Sequence, residues 1–172
     1  LRGYSSGERL VSGEGMSVMN IKIRLLSSAE LPEALDLCRK VFLEFDAPDY
    51  PPEGTENFLA FLEPKQISRM TESGLLTFFG AYRDGLLIGA GAVKERNHIC
   101  LLFIRKEFHR QGAGALLLDA MLKFCRKSGA EKATVNASPY GVPFYQAKGF
   151  QKLGEEQCRD GIRFVPMERN LL

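Results

Sequence analysis

Two glycines stand directly before an apolar-periodic segment in the stretch FHRQGAGALLLDAM, residues 108–121. Within a helix, glycine costs roughly 0.5–1 kcal/mol relative to alanine, because it loses more backbone freedom on folding. A pair of glycines before a helix is therefore expected where the backbone turns sharply or where a ligand approaches it closely. Gly112 and Gly114 predict such a turn.

The segments on either side of this turn define its surroundings. Before it, NHICLLFI at residues 97–104 is a nearly continuous apolar run, which is typical of a strand in the middle of a sheet. After it, Leu117, Met121, Phe124 and Cys125 recur with helical spacing, and Gly129 can end the helix. A strand–turn–helix junction offers unpaired backbone N–H groups and the positive end of a helix dipole, which together favour a bound phosphate.

Two common phosphate-binding motifs do not fit this junction. A P-loop ends its glycine-rich turn in Gly-Lys followed by Ser or Thr, but the fifth residue after Gly112 is Leu117. The dinucleotide fingerprint GxGxxG would need a glycine at the same Leu117, and no acidic residue closes a strand about 20 residues further on. A nucleotide-binding module is therefore disfavoured.

The remaining segments alternate between strand and helix patterns. Ile21, Ile23 and Leu25 alternate as in a half-buried strand, and residues 27–45 predict an amphipathic helix that begins at Ser27 or Ser28. Residues 57–73 predict one or two short helices, and Asp-Gly pairs at residues 84–85 and 160–161 predict two β-hairpins. The resulting order, β-α-α-β-β-β-α-β-α-β-β, predicts an α/β (α+β) fold with a mixed sheet and helices on its faces.

Length and composition indicate one globular domain, residues 19–172. The chain has 172 residues, of which 45% are hydrophobic, and this is enough for a sizeable core. Residues 1–18 are rich in Gly and Ser and lack periodicity, so we expect them to be a disordered or appended tail. We expect the natural start at Met16 or Met19.

Charge, hydropathy and cysteine use disfavour several classes of function. A formal net charge of +2 with scattered Lys and Arg is too mild for a nucleic-acid-binding surface, and no apolar run approaches the roughly 18–20 residues of a membrane span. The four cysteines are far apart in sequence: Cys38, Cys100, Cys125 and Cys158. They form no CxxC pair and have no metal-ligand spacing with the two histidines, so we expect buried reduced thiols, no metal site and a cytoplasmic protein.

The glycine turn and a second motif resemble the GNAT superfamily of N-acetyltransferases. The GNAT fingerprint is Gln or Arg, two residues, Gly, one residue, then Gly or Ala; residues 109–114 read HRQGAG, with His109 in the first position. The later segment ASPYGVPFYQAKGF resembles the family's short helix that carries Phe-Tyr ahead of a glycine and an aromatic residue. Phe144, Tyr145, Gly149 and Phe150 occupy these positions. The resemblance covers residues 20–171 and implies a largely antiparallel, seven-stranded sheet flanked by about four helices.

The resemblance implies that the turn and the strand before it bind acetyl-coenzyme A as a cosubstrate. In the family, the end of the fourth strand pairs with the pantetheine arm, and the amides of the turn hold the pyrophosphate. Two further side chains, Ser138 and Tyr145, match positions near the cofactor arm and near the thioester sulfur. The resulting cofactor-binding set is Leu102, Phe103, Ile104, Arg110, Gln111, Gly112, Ala113, Gly114, Ala115, Ser138 and Tyr145.

The resemblance also implies direct acetyl transfer to a primary amine, which needs no enzyme nucleophile. Tyr145 is then the candidate acid that protonates the sulfur. His98 is either a general base, since its reference pKa is about 6.5, or a strand-end histidine without a catalytic role. The acidic segment EFDAPDYPPEGTE borders the acceptor side in this fold. It is either a solvated surface loop or the source of three acceptor-binding residues, Glu44, Asp46 and Asp49.

An N-acetyltransferase is the function that the sequence favours, with a small-molecule or peptide amine as acceptor. A non-catalytic acyl-coenzyme A sensor on the same fold is the main alternative, and the tyrosine in the late motif favours the enzyme. We expect no nucleic-acid or membrane partner, and a homodimer is compatible with the sequence. No motif identifies the acceptor amine.

Overall fold

A computed structural model describes residues 20–172, so the expected tail and both candidate starting methionines lie outside the described residues. Its strands and α-helices in chain order are β1 (Ile21–Leu25), α1 (Leu31–Val41), α2 (Pro52–Phe61), α3 (Pro64–Glu72), β2 (Leu76–Arg83), β3 (Leu86–Lys94), β4 (His98–Ile104), α4 (Ala113–Lys127), β5 (Lys132–Ala137), α5 (Val142–Ala147), β6 (Gln151–Lys152), β7 (Gln157–Arg159) and β8 (Ile162–Asn170).

The strands form one mixed sheet with helices on both faces. The strand order is β1-β2-β3-β4-β5-β8-β6, and β7 pairs with the other end of β8. Among the described pairs, only β4 and β5 run parallel. Neighbouring Phe78 and Phe79 point into different buried clusters, one with α1 and α3 and the other with α4 and α5. The predicted α/β class and the largely antiparallel sheet are confirmed.

The numbers of strands and helices differ from the sequence prediction. The sheet has eight strands rather than seven, because four residues, 153–156, stand opposite only two residues of β8 and interrupt the first arm of the last hairpin. Pro166 of β8 lies at this interruption and has no N–H to donate to the ladder. The described residues form five α-helices rather than about four, because Pro64 begins a second helix soon after α2 ends.

Helix α1 forms as predicted, but the acidic segment after it is not a loop. A 3-10 turn, Ser28–Glu30, leads into α1, and the Glu30 carboxylate accepts the backbone N–H of Ser27 at 2.8 Å. After α1 the chain continues as a π-helical turn, Phe42–Asp46, and a 3-10 turn, Ala47–Asp49, before α2 begins. The acidic segment is therefore largely helical, which gives its side chains fixed directions.

The two Asp-Gly hairpins are confirmed by their backbone angles. The φ angles are 51° and 81° at residues 84 and 85, and 54° and 79° at residues 160 and 161. Positive φ at both central residues is what a type I′ turn requires, and it explains why Asp-Gly occurs at these positions. These turns connect β2 to β3 and β7 to β8.

Cysteine placement differs in part from the sequence expectation. All four thiols are free, but Cys158 is exposed on β7 rather than buried, because both faces of this short strand lie at the surface. Within residues 20–172, no helix is long and apolar enough to cross a membrane. The same residues contain no group of three or more His, Cys, Asp or Glu side chains that could hold a metal ion.

Candidate active site

Strands β4 and β5 separate after only two residue pairs. His98 pairs with Thr134 and Ile99 with Val135, whereas β4 continues to Ile104 and there pairs only with β3. A bulge marks the point of separation, because Cys100 is an extra residue in the register with β3. Bulges bend a strand and are frequent beside active sites. Residues 100–104 therefore have one unpaired edge, and we call the space along this edge the β4–β5 opening.

The glycine turn lies at the far end of this opening. Arg110 has φ 61° and Gly112 has φ 89°, and α4 begins at Ala113. Among the described residues, no group accepts a backbone hydrogen bond from the amides of residues 110–115. Six consecutive amides at the start of a 15-residue helix are therefore available to an anion, and the helix dipole favours negative charge there.

Side chains of the turn fasten it to the strand. His109 Nε2 donates to the Ile104 carbonyl oxygen at 2.6 Å, and because a carbonyl only accepts, this bond fixes the proton on Nε2. Gln111 donates to the Glu107 carbonyl oxygen at 3.1 Å and accepts from Arg83 at 3.1 Å. The histidine in the first fingerprint position thus has a structural role.

Tyr145 brings a buried hydroxyl into the core beside the opening. Its ring packs edge-to-face against Phe144 and Phe150, with centroid distances of 5.2 and 5.3 Å. The residue is 7% exposed, yet its hydroxyl makes no hydrogen bond to any described residue. Burial, followed by Cys100 and Asp46, raises the pKa of Tyr145 above its ordinary value, so the phenol stays protonated at neutral pH.

Asp46 is the one charged residue among residues 20–172 that is buried, at 8% exposure. Ser138 Oγ donates to its Oδ1 at 3.1 Å, and the same Oγ accepts the backbone N–H of Gly141 at 3.1 Å. Burial raises the pKa of Asp46 to about 6, although the Ser138 hydrogen bond opposes this change. Asp46 therefore changes charge near neutral pH.

The other two predicted acceptor-binding carboxylates are placed differently. Glu44 is exposed and forms an ion pair with Lys106 at 2.9 Å. Asp49 is also exposed, and its backbone oxygen accepts from Arg163 at 2.7 Å. The three acidic residues share one helical segment, but only Asp46 is enclosed by the core.

His98 lies where β4 and β5 are still paired. Its Nδ1 is 2.8 Å from Thr134 Oγ1 on β5, and burial, followed by the charge of Lys94, lowers its pKa below the ordinary value. It stands six residues before Ile104, which is roughly 20 Å along an extended strand. Its catalytic role stays a prediction.

Aromatic contacts that the sequence did not predict join elements near the opening. Phe45 contacts the ring of His109 at a centroid distance of 4.8 Å and that of Tyr140 at 5.4 Å. Phe103, on the unpaired part of β4, contacts Phe58 of α2 at 6.0 Å. These contacts join segments far apart in sequence, so no local spacing could have revealed them.

The sequence profile of the acetyltransferase (GNAT) domain matches residues 46–171. This match spans well over half of the chain. The chain belongs to the GNAT acetyltransferase family. Both GNAT motifs quoted above, the glycine turn and the late helix with Tyr145, lie inside the matched residues. The resemblance inferred from the sequence is confirmed.

One curated relative matches most of the chain, and solved structures share its fold. The chain is 27% identical to the uncharacterized protein YyaT of Bacillus subtilis (strain 168) over 162 residues, which cover 89% of this chain and 97% of YyaT. A GCN5-related N-acetyltransferase from Rhodopseudomonas palustris has a TM-score of 0.76 at 18% identity, covering 91% of this chain and 99% of that one. The PaiA N-acetyltransferase of Thermoplasma acidophilum, solved in complex with coenzyme A, has a TM-score of 0.72 at 24% identity, covering 88% and 99%.

Proposed function

We propose that this GNAT protein transfers the acetyl group of acetyl-coenzyme A directly to a primary amine. One observation carries the proposal: the unpaired edge of β4 runs from a turn of free amides into a core that contains a protonated hydroxyl without a partner. A strand edge, an anion cradle and a proton donor are the three groups that a pantetheine arm, a pyrophosphate and a departing thiolate require. The coenzyme A complex of the structurally similar PaiA enzyme supports the choice of cosubstrate.

The proposed cofactor site uses backbone groups more than side chains. The amides of Arg110, Gln111, Gly112, Ala113, Gly114 and Ala115 would hold the pyrophosphate, and the unpaired edge at Leu102, Phe103 and Ile104 would hold the pantetheine arm. A Cβ at Gly114 would lie 3.4 Å from the Phe144 ring, an ordinary van der Waals contact, so the fold alone does not require a glycine there. Ser138, by contrast, already donates its hydroxyl proton to Asp46, so that proton is not available to the cosubstrate.

Tyr145 is the proposed proton donor to the leaving sulfur. When bound, acetyl-coenzyme A supplies an acyl group on a thiol leaving group whose conjugate acid has a pKa of about 8.5, taking free cysteine as the guide. Tyr145 holds its proton at neutral pH, since burial raises its pKa. Its hydroxyl is available, because it has no hydrogen-bond partner among residues 20–172.

The proposed acceptor is a cationic amine that approaches from the acidic helical segment. Asp46 and Asp49, with Glu44 at the rim, would attract an ammonium group, and His98 stays a second candidate base. Because Glu44 already pairs with Lys106, we expect its attraction for the ammonium to be weaker than that of Asp46 and Asp49.

A thiol-release assay across a panel of primary amines tests the proposal. The wild-type protein should release free thiol from acetyl-coenzyme A only when an amine is present. Tyr145→Phe should lower kcat about 10²–10⁴-fold, as loss of a general acid does, while coenzyme A affinity and Tm barely change.

Tyr82→Phe is the matched control, because its hydroxyl bonds to Glu30 at 3.1 Å, away from the opening. It should retain wild-type kcat. Coenzyme A binding without thiol release with any amine would instead indicate the acyl-coenzyme A sensor.

A further inference from the structure

Asp46 is a buried carboxyl group that no cation among residues 20–172 neutralises. Of its two carboxylate oxygens, Oδ1 accepts one hydrogen bond from Ser138, and Oδ2 has no hydrogen-bond or ion-pair partner among the described residues. Removing a carboxylate from water without a counter-ion is unfavourable, so such a group is usually paired or used in chemistry. No Lys or Arg in residues 20–172 forms an ion pair with it.

We propose that Asp46 is the base that takes the proton from the acceptor's ammonium group, and that Ser138 positions it for this step. The proposal rests on the acetyl-transfer function proposed above and assigns the proton acceptor within it. In this proposal Asp46 does more than attract the acceptor. It removes a proton from the ammonium group and so makes the amine nucleophilic.

A short hydrogen-bond chain fixes the orientation of Asp46. The backbone N–H of Gly141 donates to Ser138 Oγ, which leaves the Ser138 hydroxyl proton for Asp46 Oδ1. Oδ1 is thereby held, and Oδ2 remains free to receive a proton. Gly141 directly precedes α5, and α5 carries Tyr145 one turn later. The base and the proton donor are therefore held by the same short stretch of chain.

Few ionisable groups face Asp46. Asp49 and Tyr50 belong to its own helical segment, Tyr145 comes from α5, and His109 contacts the aromatic ring next to Asp46 in the chain. Burial raises the pKa of both tyrosines, so neither ionises near neutrality. Asp49 lies at the exposed end of the segment. The ascending limb of the pH profile is therefore assigned by substitution rather than by its position on the pH axis.

The proton transfers balance with one proton released per turnover. Asp46 Oδ2 takes the first proton of the ammonium and later gives it to solvent. The freed nitrogen lone pair forms the C–N bond, and the C–S bond breaks with its electron pair on sulfur. The Tyr145 hydroxyl protonates that sulfur, and the second nitrogen proton restores the phenol. The products are the amide, the free thiol and one solvent proton.

The pH dependence of kcat with Asp46→Asn tests this assignment. Asparagine keeps the shape and still accepts from Ser138, but it cannot take a proton. We expect kcat at neutral pH to fall about 10²–10⁴-fold and the ascending limb of the wild-type profile to disappear, with coenzyme A affinity unchanged.

Ser138→Ala tests the positioning role of Ser138 through the pH profile, which a residue with a purely structural role would not shift. The Ser138 hydrogen bond favours the ionised carboxylate, so its loss should raise the pKa of Asp46 and shift the ascending limb to higher pH. His98→Gln should keep the limb, and Asp119→Asn, an exposed carboxylate on the outer face of α4, should retain wild-type kcat.

The outcomes separate this inference from the proposed function. If the wild type acetylates an amine and the limb persists in Asp46→Asn, the assignment of Asp46 is overturned while the transferase function stands. If the limb is lost in His98→Gln instead, the base is His98. If no amine supports thiol release, the proposed function and this inference are both overturned.

Discussion

At the scale of single residues, Asp46 and Tyr145 depart from what an apolar core normally contains. Each is at least nine-tenths buried, and each keeps a polar atom without a hydrogen-bond partner among the described residues. Unsatisfied buried polar groups are few in native proteins, because each costs about 1–3 kcal/mol. Two such groups beside one opening lower the stability of the fold, which is expected where polar atoms are kept free for a reaction.

Because the pKa of Asp46 is raised in the folded protein, the free energy of unfolding should depend on pH. The folded protein binds this proton up to about pH 6, whereas an unfolded Asp releases it near pH 3.9. Stability therefore falls as pH rises from about 4 to about 6, and the loss, about 3 kcal/mol, persists at higher pH. Relative to wild type, Asp46→Asn should gain up to that amount between about pH 4 and about pH 8.

Denaturant unfolding of both proteins across this pH range measures the difference directly. Subtracting the two curves removes the contribution of every other carboxyl group. A difference that stays constant with pH would show that Asp46 titrates as it does in the unfolded chain.

At the scale of elements, the turn before α4 contains two residues with left-handed backbone, Arg110 and Gly112. Gly112 has φ 89°, which side chains other than glycine adopt only at a cost of roughly 1–2 kcal/mol. The backbone angles of the turn set the directions of the amides of residues 110–115, so we expect a change of these angles to affect binding as well as stability.

Gly112→Ala should destabilise the protein by about 1–2 kcal/mol and weaken coenzyme A binding at least about tenfold, which corresponds to 1.4 kcal/mol. Gly74→Ala is the matched control, because Gly74 has φ 84° and a Cβ there meets nothing within 4 Å. Denaturant unfolding should show equal losses of stability in the two variants, and calorimetric titration with coenzyme A should show a loss of affinity in Gly112→Ala alone. Equal affinities would remove the turn from the cosubstrate site.

At the scale of the whole molecule, the last hairpin holds the acidic helical segment in place. Gly161 in its turn touches the backbone of Gly54 in α2, and Asn57 Nδ2 donates to the Asp160 carbonyl oxygen at 2.8 Å. Tyr50 donates its hydroxyl to the Arg163 carbonyl oxygen at 3.1 Å. The segment that carries Asp46 is thus held between α1 and the C-terminal hairpin.

Gly54→Ala should push α2 away from the C-terminal hairpin, because the added Cβ would overlap the Gly161 carbonyl group. We expect a loss of about 1–3 kcal/mol, as for overpacking, and a raised KM for the amine with an unchanged KM for acetyl-coenzyme A. Gly154 lies in the same hairpin, and a Cβ there would meet nothing within 4 Å. Gly154→Ala is therefore the control and should behave as wild type. A raised KM for both substrates would argue that the hairpin supports the whole domain rather than the acceptor side.

The sequence by itself determined the features that depend on neighbouring residues. Apolar periodicity, the Asp-Gly turns and the glycine turn before α4 follow from local backbone preferences, and together they predicted the α/β fold. The GNAT family followed from the resemblance of two motifs, the glycine turn and the late helix with Tyr145, to that family. The same local rules could not predict where the arm before β8 breaks, since that depends on which residues of β8 stand opposite it.

Only the tertiary structure decided which of the predicted residues are brought together. Glu44, Asp46 and Asp49 look alike in sequence, yet Glu44 pairs with Lys106, Asp49 is exposed, and Asp46 is enclosed beside Ser138. A side chain's burial, and with it its pKa, depends on partners such as Ser138, 92 residues away along the chain. Sequence spacing carries no record of such contacts, because they form only when distant elements pack against each other.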